Sequence, residues 1–176
     1  MNTTLQELET AFQAAGFDAL VSSIGIPTPV PQLLVYMGDD DQGRDYYLQV
    51  LFLRDLQQAM PVAQPLTEAD GDLDYLQIYT ALPVEISAAA FPDLARLILM
   101  VNKTLRVGAF GLHESDNRGV YLRQMLLCPG GRPDLQVVIK SAEMMLEYLD
   151  AYGEVLEKVG TGATTLADVL AADQSI

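Results

Sequence analysis

Cysteine and histidine are almost missing from this sequence: Cys128 and His113 stand alone, and tryptophan is absent. A single thiol cannot close a disulfide within the chain, and this usage fits a reducing, cytoplasmic compartment. One thiol and one imidazole cannot build a closed structural zinc site from nitrogen and sulfur ligands. Basic residues are scarce too, with ten Lys and Arg against 24 Asp and Glu, for a net charge of −14. Double-stranded nucleic acid and anionic membrane surfaces need clustered cations, so neither is an expected partner. No apolar run approaches the ~18 residues of a membrane-spanning helix. Residues 1–10 carry no basic segment followed by an apolar stretch, so no signal peptide is expected.

What is present is a chain of 176 residues, half of them hydrophobic. That is enough for one domain with a real core and no disulfides or metals. Thr4 and Glu7 fit a capping box, Leu5, Leu8, Phe12 and Ala15 recur at helical spacing, and Gly16 suits the C-terminal cap. An extended piece follows near 19–24, and Pro27, Pro29 and Pro31 predict an irregular connection after it. Strands are expected over 32–37, 44–53 and 73–82, with a short helix near 56–60 inside the polar segment between the last two. Pro92 and Asp93 open a central helix with the stripe Leu94, Leu97, Ile98, Val101 and Leu105. Strands over 106–114 and 119–128 follow. A long helix over 133–158 is ended by Gly160, Thr161 and Gly162. Residues 1–160 then form one domain, and 161–176 a tail with a short helix. The order is α-β-β-β-α-β-β-α, an α+β fold with an antiparallel sheet and helices mainly on one face.

Recognisable chemistry is thin. His113 could serve a nucleophile only if the fold brought one beside it, and no spacing supports that. Cys128 ends an apolar strand and reads as a small buried hydrophobe. Two acidic clusters, Asp39 to Asp45 around Gly43 and Glu68 to Asp74 around Gly71, lack the alternating ligands of a calcium loop and read as acidic turns. No phosphate-binding or dinucleotide-binding glycine motif occurs. No catalytic residue, metal site or cofactor is therefore assigned.

The strands carry the stronger signal. A sheet covered on one side should alternate apolar and polar residues, yet three strands are apolar on both parities. The second parity holds Tyr47 and Leu51, then Tyr75, Gln77 and Tyr79, then Tyr121, Arg123 and Met125. Tyr and Arg suit interfaces, since each joins apolar area to a polar tip. More of this chain, a second copy or a foreign peptide could cover such a face.

The opening helix Leu5-Gln6-Glu7-Leu8, the strand Tyr46-Tyr47-Leu48-Gln49-Val50, the central helix from Phe91 and the closing helix through Leu146-Glu147-Tyr148-Leu149 resemble, in order and pattern, the type III secretion chaperone-like fold shared by the YbjN-like proteins. The resemblance covers about 4–159. It implies an acidic, dimeric, non-catalytic module that holds extended polypeptide segments on sheet and helix surfaces. A small-molecule sensor, or an enzyme using carboxylates or a metal in the acidic loops, are the other expectations.

Overall fold

The computed structural model describes residues 4–25, 28–39, 43–59, 73–113 and 119–172. The elements are α1 (Thr4–Ala14), β1 (Ala19–Gly25), β2 (Pro29–Asp39), β3 (Asp45–Phe52), α2 (Leu53–Ala59), β4 (Leu73–Leu82), α3 (Phe91–Asn102), β5 (Ala109–Leu112), β6 (Val120–Pro129), α4 (Leu135–Thr161) and α5 (Leu166–Ala172). The strands form one sheet in the order β1-β2-β3-β4-β6-β5. Its β1–β2, β2–β3, β3–β4 and β5–β6 pairings are antiparallel. The fold is thus α+β. The Thr4 side chain, the turn at 115–118, Pro61 and Pro65, Asp40 and Asp41 of the first acidic cluster, and Glu68 to Asp72 of the second lie outside the described residues. The chain divides into two compact units, Met1–Thr80 with Gln124–Glu143, and Ala81–Arg123 with Met144–Ile176.

In the first unit, α1 packs on β1 and β2. Leu8 and Phe12 are fully buried, each stabilising the fold by about 1.5–3 kcal/mol. Gly16 ends α1 with φ +92°, a conformation other residues avoid. The extended piece is a true edge strand, and β2 is longer than the sequence suggests because Pro29 and Pro31 lie inside it. The pairing explains how. Tyr36 N donates to Asp18 O, and β1 pairs with β2 so that Leu20 faces Leu34 and Ser22 faces Gln32. Antiparallel pairs alternate between bonded and non-bonded, so the even-numbered N–H groups of β2 serve β1. Pro29 and Pro31 fall on the odd positions, which aim toward β3 at the end where β3 stops. Neither proline removes a donor that the β1–β2 ladder uses.

The same alternation leaves Ala19, Val21, Ser23 and Gly25 with backbone groups aimed away from β2. Glu9 and Gln13, one turn apart on α1, meet two of them. Val21 N donates to Glu9 Oε1 at 3.1 Å, and Gln13 Nε2 donates to Ala19 O at 2.9 Å. Side chains from the helix thus blunt half of the sheet edge.

The remaining parts of this unit are tied by polar contacts. Arg54, in the first turn of α2, places Nη1 2.8 Å from Asp74 Oδ2 on β4 and stacks 4.7 Å over the Phe52 ring. Gln124 Nε2 donates to Ser141 Oγ at 3.0 Å, and both residues are buried. Asp134 Oδ1 accepts from the N–H groups of Gln136 and Val137, capping α4.

In the second unit, Leu94, Leu97, Ile98 and Val101 bury the stripe expected of α3. Asn102 clamps β5 by exchanging hydrogen bonds with both backbone groups of Phe110, at 2.8 and 2.9 Å. The closing helix includes Gly160 and ends at Thr161, within the expected Gly160-Thr161-Gly162 stop. A Cβ at Gly160 would stand 3.2 Å from Leu94 and 3.3 Å from Val84, so this glycine serves close packing instead of a turn. Gly162, with φ +80°, follows the end of α4. The expected tail helix is α5, whose start is held by Thr165 and Asp168, each bonded to the other's backbone N–H. Asp168 is held below the usual carboxylate range by the Thr165 hydroxyl and N–H.

Candidate functional site

Burial separates the two sheet faces in β4 and β6. Leu76, Ile78, Leu82, Val120, Leu122 and Cys128, all on even positions, are buried. Tyr75, Gln77, Tyr79 and Tyr121 on odd positions are half-buried. Arg123, Met125 and Leu127 are exposed, Leu127 by 62%. On these two strands the odd-numbered side chains are thus less buried than the even-numbered ones, and of the residues just named the exposed ones lie on β6. Leu51 departs from that reading at 4% exposure, and one further step of the β2–β3 register sets it opposite Gln32, also buried. This corner lies where β3 turns straight into α2, and α2 packs on β2 and β3.

In the first unit the register sets Tyr47 beside Tyr36, Gln49 beside Tyr79 and Leu51 beside Gln77. The Tyr36 and Tyr47 rings lie 5.5 Å apart. Beyond them β2 is irregular. Tyr36 faces Tyr47, but Asp39 faces Asp45, so one residue is gained between them. Gly38, at φ +98°, makes this bulge affordable to the backbone. Without it Asp39 would point to the opposite side from Tyr36. With it, Tyr36 Oη donates to Asp39 Oδ1, and Tyr47 Oη donates to Asp45 Oδ2 at 3.3 Å. The bond to Asp39, burial and the nearby carboxylates push the Tyr36 phenol up to about 12. Burial and Asp45 also raise Tyr47.

Tyr36, Asp45 and Tyr47 form one wall of an open groove of about 650 Å³, also lined by Gln13, Gly16, Phe17, Asp18, Ala19, Leu20 and Leu34. No Lys or Arg lines it. Sequence reasoning passed over Leu20, Leu34 and Tyr36, because 19–24 and 32–37 were not read for two-sided parity. Tyr36 was within reach of the rule applied to the other strands.

Tyr121 and Arg123 belong to the second unit. The Tyr121 ring lies directly over Gly111, its partner on β5, and the His113 ring stands 4.6 Å away. The Arg123 guanidinium lies 6.0 Å over the same ring. This is a cationic and aromatic patch, with His113 as a ring neighbour.

Elsewhere the chemistry is quiet. The Cys128 thiol is buried and pushed up by that burial, the reverse of an activated nucleophile. Burial also raises Asp55, while neighbouring Arg54 opposes the shift. Among the described residues, no three His, Cys, Asp or Glu side chains gather as metal ligands. No described helix is long and apolar enough to cross a membrane. The chain matches no protein-family model, and no curated protein resembles it closely in sequence.

Proposed function

We propose that this protein is a non-enzymatic binding module that holds a polypeptide on its second sheet face, in the manner of a secretion chaperone-like, YbjN-like protein. The observation that carries the reading is the odd-numbered face, on which Tyr47, Met125 and Leu127 are 44%, 39% and 62% exposed while Leu48, Gln124 and Cys128 beside them are buried. Exposed large apolar side chains gathered on one face mark interaction surfaces. Tyrosines there contribute apolar area and a hydroxyl at little entropic cost. Cytoplasmic residence and a homodimer complete the proposal. Met125 and Leu127 are the apolar candidates for self-contact, since neither carries charge and carboxylates would repel their copies.

Affinity selection from a random peptide library with the whole protein tests the reading, together with light scattering. Bound peptides and a mass about twice that of the chain are expected. Leu127→Glu should weaken the peptides, the dimer or both by tenfold or more. A monomer that selects no peptide sinks the proposal. The open groove favours a second reading, a small-molecule sensor, which predicts ligand binding without peptide selection.

A further inference from the structure

The groove at Tyr36 and Tyr47 faces an electrostatic conflict of its own making. Asp39 and Asp45 stand directly opposite across β2 and β3. Like charges in that position repel, and none of the residues lining the groove is Lys or Arg. Each carboxylate accepts one tyrosine hydroxyl, on Oδ1 of Asp39 and on Oδ2 of Asp45, and a carboxylate can accept further donors. The tyrosines are hydrogen-bond donors here, so they orient the carboxylates, and both side chains line the groove. Aromatic faces attract cations within about 6 Å of their centroids. Leu20 and Leu34 supply apolar wall. A charged head on an apolar stem fits every part of this arrangement, and that is the chemistry of a lysine or arginine side chain.

We infer that the groove lined by Asp45 and the Tyr36–Tyr47 pair, with Asp39 bonded behind Tyr36, receives a lysine or arginine side chain of the bound polypeptide. The inference rests on the polypeptide-binding reading and adds the residue class that this end of the site selects. A second copy of the chain is a poor occupant, because its net charge of −14 would meet the carboxylates. A basic segment is drawn in by the same field.

The net charge alone biases any peptide selection toward cations, so the decisive comparison is between variants that leave it nearly unchanged. Random 12-residue peptides selected on the whole protein should be enriched in Lys or Arg flanked by apolar residues. For a selected peptide, exchanging that lysine for norleucine should weaken binding at least tenfold. Asp45→Asn should reduce the preference for lysine over norleucine to under threefold, and Tyr47→Leu should do the same, with unchanged circular dichroism and melting temperature. If Asp45→Asn and Tyr47→Leu leave the preference intact, the groove inference fails while peptide binding stands. If no peptide is selected but cadaverine binds and loses affinity in Asp45→Asn, the cation belongs to a free ligand and the polypeptide reading fails. If neither peptide nor cadaverine binds, both are overturned.

Discussion

A β-carbon at position 111 would come within 2.4 Å of the Tyr121 ring. The absent side chain is what lets that ring lie across β5, with His113 and Arg123 around it. Gly111→Ala should therefore force the ring aside and cost about 1–3 kcal/mol, as overpacking does. Urea denaturation checks this, and the cost should largely vanish when Tyr121→Ala is already present, since the two changes share one contact. Tyr36 offers a second test at the same scale. Its phenol is raised to about 12, so the folded state prefers the neutral form. That contribution to stability is complete below the ordinary tyrosine value near 10 and is lost as pH rises through about 12. Absorbance titration should show a late tyrosine phase whose last part is removed by Tyr36→Phe and shifted downward by Asp39→Asn, with Tyr47 also later than an ordinary tyrosine.

Among the elements, β2 decides the geometry of the candidate site. Its bulge turns Asp39 toward Tyr36, and Gly38 supplies the positive φ that the bulge requires. Gly38→Val should cost at least about 1 kcal/mol and carry Asp39 away from the hydroxyl. The late tyrosine titration should then move toward the ordinary range in a protein that still folds, as read by melting and absorbance together. An intact late titration would show that the bulge is not what places Asp39. Helix α4 ends at Thr161, within the Gly160-Thr161-Gly162 stop the sequence marks, and Gly162 with φ +80° follows it. Gly160 lies in the last turn of the helix, where Leu94 and Val84 leave little room for a side chain.

For the whole molecule, net charge and surface pattern set the expectations. With −14 distributed over 176 residues, self-repulsion opposes the compact state and salt screens it. The melting temperature should rise between 10 and 150 mM sodium chloride, by ~2 °C or more; a fall would mean that ion pairs such as Arg54–Asp74 dominate instead. The α+β class and nearly every element were legible in the chain, because helical stripes such as Leu94 to Val101 and the two-sided strands leave local marks. β4 begins and ends at the residues expected, Leu73 and Leu82. The candidate site was legible as a parity and not as a place. Tyr47 and Met125 were found because they sit on doubly apolar strands. The groove was not, because Asp39 joins Tyr36 only through a register shift, and Leu51 closes only where α2 begins. Both are facts of tertiary pairing that no local pattern records.

The alternate prolines of β2 carry a consequence for how that strand is seated. Were the strand turned over by one residue, Pro29 and Pro31 would present their missing N–H groups to β1, and β1 would lose bonding partners along its length. The same rotation would bring Leu33 and Val35 out of the core and put Tyr36 into it. Backbone and side chains therefore veto the same error, and the prolines act as a key that fits its lock in one orientation only.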